Sequence, residues 1–170
     1  MNPINTIAQP EIIKAVLQKY NSYGSEWEKA YFDKLSGGYV VIDKQRIGHS
    51  KLSKNEKAKF DKEHAMCIVL AQNGYKIEML MERPGFSSSD ITINGIMAEL
   101  KKTSSHNNIS GYAKKAVYKQ GAKIVVFEFE EMTRNIQKEL YNIQKLGISV
   151  KYFTTKRKVV LDLSEIQRPE

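Results

Sequence analysis

This sequence of 170 residues has little cysteine, no long apolar run and, over one stretch, no acidic residue. The single cysteine, Cys67, excludes an internal disulfide and a cysteine-rich zinc site. Apolar runs such as Ile68–Ala71 and Ile124–Phe127 are far shorter than the ~20 residues that a membrane span requires. The N-terminal stretch does not combine a basic start, an apolar centre and a small-residue cleavage site. We therefore expect a soluble, cytoplasmic protein without a membrane partner.

The acidic residues are absent from Leu100 to Phe127, a stretch that contains six lysines. The whole chain has 27 Lys and Arg against 19 Asp and Glu, a formal net charge of +8. A positive field of this kind raises the local concentration of phosphate polymers. The charge is also typical of a solvated, lysine-rich surface. Charge alone therefore does not decide between that surface and a nucleic-acid-binding site.

Residues 1–52 are predicted to form an N-terminal helical extension with one short strand. Apolar side chains recur at the spacing of one helical face. They are Trp27, Tyr31, Phe32 and Leu35. Residues 39–42 form the strand candidate, and the basic, polar residues 43–52 are predicted to be a loop.

Residues 53–170 are predicted to form an α+β domain with a mixed sheet and flanking helices. Ser53 and Glu56 fit a capping box at the start of a helix that runs to about Gln72. Asn94-Gly95 between two alternating runs predicts a tight hairpin turn. The order of elements is helix, three strands, helix, strand, helix and two strands. This is an αβββαβ core with additions.

The hairpin brings together the residues most suited to chemistry. A two-residue turn at Asn94-Gly95 places Asp90 opposite Glu99, and Lys101 shares a strand face with Glu99. Two opposed carboxylates repel unless a cation lies between them. Mg²⁺ or Mn²⁺ takes such oxygen ligands and keeps positions for water and phosphate. Lys101 would orient the attacking water or stabilise charge on the phosphate.

This pattern resembles the PD-(D/E)XK nuclease superfamily, over residues 53–130. Asp90 matches the motif aspartate, and Glu99-Leu100-Lys101 matches the (D/E)XK tripeptide. Glu63, which we place opposite the apolar stripe of the first core helix or at its edge, matches a helix glutamate of many members. Gln120 matches a functional glutamine of some members, whereas Ser89 stands where the motif has proline. The resemblance implies a restriction-endonuclease-like fold.

The sequence around the motif looks more specifically like the C-terminal tRNase domains of contact-dependent inhibition toxins and related phage and mobile-element nuclease domains. The segments that carry this likeness are residues 73–77, 90–95, 99–101 and 116–126. The resemblance implies a nuclease acting on tRNA or other RNA ahead of DNA. An immunity-type protein partner would fit a toxic domain.

These observations predict a metal-dependent phosphodiesterase. Asp90 and Glu99 would bind Mg²⁺ or Mn²⁺, Glu63 would assist, and Lys101 would position water or phosphate. The substrate backbone would contact a basic set of residues beside them. This set is Lys102, Lys114, Lys115, Lys119 and Gln120.

Two alternatives remain open. Some toxin domains resemble the metal-independent barnase–EndoU–colicin–RelE group, and here Thr103, Ser104 and His106 would supply its proton-transfer groups. The other alternative is a non-catalytic nucleic-acid-binding domain. Tyr112 and Tyr118 flank the lysines, and their helical spacing favours half-buried packing roles over base stacking.

Overall fold

The computed structural model describes residues 8–81 and 89–163, and these residues have an α+β fold with parallel and antiparallel strand pairs. Their contacts divide them into two units, residues 8–81 with 90–95, and residue 89 with 96–163. The helices are α1 (Pro10–Asn21), α2 (Lys44–Ser50), α3 (Lys54–Gln72), α4 (Ile109–Tyr118) and α5 (Arg134–Lys145). The strands are β1 (Trp27–Phe32), β2 (Tyr39–Asp43), β3 (Lys76–Met79), β4 (Ile91–Ile93), β5 (Ile96–Lys102), β6 (Ile124–Phe129), β7 (Ser149–Thr154) and β8 (Leu161–Asp162).

The order α3-β3-β4-β5-α4-β6 confirms the predicted helix, three strands, helix and strand. The Ser53 side chain accepts a hydrogen bond from the Glu56 N–H at the start of α3, as the capping pattern predicts. Asn94 and Gly95 have φ angles of 49° and 82°. Both residues are therefore in the left-handed region, which a type I′ turn requires. The predicted nuclease domain from residue 53 onward stays a prediction.

In the first unit, β2 pairs antiparallel with β1 and parallel with β3, which pairs antiparallel with β4. α1 packs Val16 against Tyr39 and Val41 of β2. The alternate residue Val40 is fully buried as well, and α3 contacts both β2 and β3. Because β2 has buried residues on both faces, it is a central strand of this unit.

The helix predicted around Trp27 is wrong, since Trp27–Phe32 is strand β1. The register between β1 and β2 shifts between Lys29 and Tyr31, as in a β-bulge. An inserted residue moves the alternation of inward and outward side chains by one position. The apolar residues Trp27, Tyr31 and Phe32 consequently mimic helical spacing in the sequence.

The loop predicted for residues 43–52 is also wrong, because Lys44–Ser50 is helix α2. The side chain of Asp43 accepts a hydrogen bond from the Gln45 N–H at 2.9 Å. Asp43 is therefore the N-cap that starts this short helix. The helix buries Arg46 and Ser50.

In the second unit, β5, β6 and β7 are parallel, and β8 is antiparallel to β7. Inward residues of β6 and β7 form one hydrophobic core with the buried faces of α4 and α5. Val125 and Phe127 lie on this face of β6, and Val150 and Tyr152 are their partners on β7. The helices therefore cover one defined face of these strands.

Candidate functional site

Glu99 and Lys101 lie on the face of β5 that α4 covers. Their register partners on β6 are Val125 and Phe127, which belong to the core shared with α4. Residues directly paired across parallel strands present their side chains to the same face. The predicted sharing of one face by Glu99 and Lys101 therefore agrees with the register. Both residues are half-buried.

Gln120 reaches Glu99. The Nε2 atom of Gln120, which follows α4, donates a hydrogen bond to Oε1 of Glu99 at 3.4 Å. α4 ends at Tyr118, and Gly121 has a φ of 71°, a conformation that glycine adopts readily. The turn at this helix end thus positions the amide beside the carboxylate. An amide that donates to Glu99 restrains the orientation of its carboxylate without neutralising its charge.

The ammonium group of Lys101 lies over an aromatic ring. Its Nζ is 3.9 Å from the centroid of the Tyr112 ring on α4. The negative face of the ring attracts the cation and limits the side-chain conformations available to it. Lys101 is therefore held on the same side of the strand as Glu99.

Lys102 lies on the other face of β5. It pairs in register with Glu128 of β6, and its Nζ is 3.1 Å from Oε2 of that residue. Glu128 is nearly buried, with 9% of its side chain exposed. The structure therefore separates Lys102 from Glu99 and Lys101, although the sequence analysis groups it with the binding residues.

The three other predicted binding lysines, Lys114, Lys115 and Lys119, are exposed on or next to α4. Among the residues proposed for the metal-free alternative, Thr103 accepts a hydrogen bond from the Ser105 N–H at 3.2 Å. Ser104 is exposed, and His106 starts a short 3₁₀ turn. These residues lie in a connection between β5 and α4.

In the first unit, Glu63 forms a buried ion pair with Arg46 of α2, and their side chains are 8% and 7% exposed. Glu63 therefore lies on the buried side of α3, which corrects its placement opposite the apolar stripe or at its edge. Arg46 was missed because its segment was predicted to be a loop. A signal was present, since Glu63 lies four residues before Cys67 on the core face and a buried carboxylate needs a cationic partner.

Arg46 also holds the backbone at Asp90. Its Nη1 donates to the carbonyl oxygen of Leu80 at 2.7 Å and to that of Asp90 at 3.2 Å. Asp90 is 4% exposed and lies just before β4. Arg46 thus joins the residue after β3 to the residue before β4 and connects both to Glu63.

Cys67 lies close to these charged groups, and it is fully buried. Burial raises the pKa of its thiol, and the nearby charges of Glu63 and Asp90 raise it further, while Arg46 opposes them. A thiol of this kind stays protonated at neutral pH and is inert.

The two predicted metal ligands, Asp90 and Glu99, belong to different units of the described residues. Among residues 8–81 and 89–163, no group of three or more His, Cys, Asp and Glu side chains could hold a metal ion. The pairing of Asp90 and Glu99 around a metal ion stays a prediction. Glu63 is bound by Arg46, which suits a positioning role better than direct ligation.

Comparison with known proteins finds a similar fold in a solved structure. No protein-family model matches the chain, and no curated protein matches it. The chain is similar in fold to a chain of the CdiA-CT/CdiI toxin and immunity complex from Burkholderia pseudomallei. The TM-score is 0.53 with 18% sequence identity, over 66% of this chain and 89% of the other. At this identity the likeness shows the fold alone, and membership of the PD-(D/E)XK superfamily stays a prediction.

None of the helices in the described residues is both long enough and apolar enough to cross a membrane.

Proposed function

We propose that this protein is a metal-dependent nuclease of the toxin kind that hydrolyses phosphodiester bonds, in RNA or tRNA ahead of DNA. The observation that carries the proposal is the convergence of Glu99, Lys101 and Gln120 on the α4 side of β5. The carboxylate and the cation of β5 and the amide that follows α4 match the nuclease pattern that the sequence resembles. Lys114 and Lys115 are exposed on α4, and the exposed Lys119 follows it directly.

In this mechanism each residue has a separate task. Glu99 and Asp90 would hold Mg²⁺ or Mn²⁺, which would supply Lewis-acid activation of water and neutralise phosphate charge. Gln120 orients the Glu99 carboxylate. Lys101 binds the scissile phosphate and stabilises the charge that develops on it. Tyr112 limits the freedom of the Lys101 ammonium group.

Glu63 acts through Arg46 in the same proposal. The ion pair fixes the guanidinium group, and the guanidinium group fixes the carbonyl oxygen of Asp90. Glu63 is therefore a positioning residue. A ligand that is held by second partners has a defined orientation, which increases affinity and activity at metal sites.

The toxin proposal rests on two likenesses. The sequence resembles toxin tRNase domains, and the structural neighbour belongs to a complex described as toxin and immunity. We therefore propose an immunity-type protein partner and action on cytoplasmic RNA.

A cleavage assay tests this function. Purified protein is incubated with tRNA, mRNA and duplex DNA, each with EDTA, Mg²⁺ or Mn²⁺. We expect cleavage of RNA with a divalent ion and none in EDTA. Glu99→Gln should reduce the rate by at least the roughly 10- to 100-fold that loss of a ligand's supporting partner costs, because it removes a charged ligand itself. Glu130→Gln is the matched control, since Glu130 is exposed after β6, and it should leave the rate unchanged.

The same assay identifies the alternatives. Cleavage in EDTA, with Glu99→Gln active and His106→Ala reduced by ~10²–10⁴-fold, would replace this proposal with the metal-independent ribonuclease. If the parent protein binds nucleic acid but cleaves none of the three substrates, the non-catalytic nucleic-acid-binding domain replaces this proposal.

A further inference from the structure

The exposed side of α4 combines lysines with an aromatic residue. At about 100° per residue, five positions fall within an arc of about 140° around the helix. In angular order they are Lys114, Tyr118, Gly111, Lys115 and Lys119. All five are exposed, and no acidic residue occurs between Leu100 and Phe127.

Tyr118 is 70% exposed, which corrects the half-buried packing role expected for it. A single exposed apolar residue is common on protein surfaces and would mean nothing alone. Tyr118 differs because lysines stand three and four residues before it and one residue after it. An accessible π face surrounded by cations is the arrangement that binds an unpaired base together with its flanking phosphates.

Gly111 leaves the centre of this arc open. No atom lies within 4 Å of the position that a Cβ would occupy at this residue. Alanine would fit and would favour the helix, because glycine is the poorer helix former by about 1 kcal/mol. The packing around α4 therefore does not require a glycine at position 111. Because glycine has no side chain, a flat group can approach the helix backbone beside Tyr118.

The arc leads to the candidate site. Tyr112 lies at its edge, about 20° beyond Lys119, and Lys101 stands over the Tyr112 ring. At the end of the helix, Gln120 follows Tyr118 by two residues and contacts Glu99. A strand bound along the arc would pass the edge of the helix where Tyr112 contacts Lys101.

We propose that α4 binds a single-stranded segment of nucleic acid, with one unpaired base stacked on Tyr118 and neighbouring phosphates on Lys114, Lys115 and Lys119. This inference rests on the proposed function and defines its substrate class. In a duplex the bases are stacked on each other and paired, and their faces are not available to Tyr118. Unpaired segments of RNA are therefore bound in preference to duplexes of the same sequence.

The test measures binding without cleavage. The probe is a fluorescein-labelled 2′-O-methyl RNA 12-mer in EDTA, alone or annealed to its complement, and the readout is fluorescence anisotropy. Tyr118→Ala should weaken binding of the single strand by about 5- to 150-fold. Tyr118→Phe, which keeps the ring, should bind like the parent. Neither variant should change affinity for the duplex.

Tyr141→Ala is the matched control. Tyr141 lies on α5 of the same unit, and Lys145 stands over its ring at 4.8 Å. This variant should bind the single strand like the parent, and thermal melts followed by circular dichroism should show all three variants folded. A specific loss in Tyr118→Ala then cannot come from general loss of an aromatic residue beside a lysine.

The outcomes separate this inference from the proposed function. If the parent cleaves RNA but Tyr118→Ala binds the single strand as tightly as the parent does, stacking is overturned and the nuclease proposal stands. If the parent binds the single strand through Tyr118 but cleaves nothing, the nuclease proposal is overturned and the binding surface stands. A parent that binds neither probe overturns the binding surface on α4, and the cleavage assay alone then decides the nuclease proposal.

Discussion

At the scale of single residues, the most informative contact is the ion pair between Arg46 and Glu63. Both side chains are removed from water, which is costly for charged groups unless each finds several partners. Arg46 meets this requirement with two carbonyl oxygens in addition to the carboxylate. The pair therefore serves to fix the backbone around Asp90, which a pair of apolar residues could not do.

Replacing Arg46 by methionine should destabilise the protein strongly. The Glu63 carboxylate would stay buried without its guanidinium partner, and breaking a buried pair in this way costs about 3–5 kcal/mol. Adding Glu63→Leu to Arg46→Met should restore much of that loss, because the buried charge is removed. Urea denaturation gives the free energy of unfolding of each variant.

The control for this prediction is the exposed pair of Lys57 and Asp61 on α3, whose side chains are 57% and 54% exposed. Lys57→Met should cost less than about 1 kcal/mol, since exposed ion pairs contribute little. An Arg46→Met variant as stable as Lys57→Met would mean that the buried pair does not hold this part of the fold.

At the scale of elements, the sequence predicted those features that depend on interactions between residues close together in the chain. Ser53 starts α3 through a side-chain hydrogen bond, and Asn94-Gly95 turns the chain because both residues adopt positive φ. β1 was mistaken for a helix because its bulge depends on pairing with β2, which a single-sequence pattern does not contain. In the candidate site, the sharing of a face by Glu99 and Lys101 follows from strand alternation. Helical spacing could place Glu63 on the core face and indicate that it needs a cationic partner, but it could not identify Arg46, which comes from another helix.

Two glycines in different elements should respond oppositely to the same substitution. A Cβ on Gly38, just before β2, would lie 1.8 Å from the carbonyl oxygen of Ala71 at the end of α3. Backbone must move to accommodate it, so Gly38→Ala should cost about 1–3 kcal/mol or more. Gly111→Ala meets no atom within 4 Å and should be neutral or stabilising by up to ~1 kcal/mol.

Thermal melts of the two variants check this pair. Because each variant adds one methyl group, the difference between them reports the space around each glycine, together with the better helix propensity of alanine at position 111. Equal melting temperatures would contradict the close approach of Gly38 to α3.

At the scale of the whole molecule, the formal net charge of +8 attracts any polyanion. Net charge alone would give binding that depends little on where the lysines are. The proposed interface makes a stricter claim, because it places phosphate contacts on α4. The two explanations differ in how binding responds to salt, since each local phosphate contact releases condensed counterions.

Charge reversal at Lys114, Lys115 and Lys119 should therefore weaken binding of the single-stranded probe and flatten its dependence on salt. Each lost contact should reduce the slope of log affinity against log salt concentration by about 0.7, so three contacts reduce it by about 2.

The control reverses three exposed lysines of the first unit, Lys14, Lys29 and Lys62. Both triple variants have a formal net charge of +2, since each Lys→Glu change subtracts two from +8. A long-range field would make the two variants behave alike, whereas contacts on α4 leave the slope of the control close to that of the parent. Equal slopes in the two triple variants would therefore remove α4 as the interface.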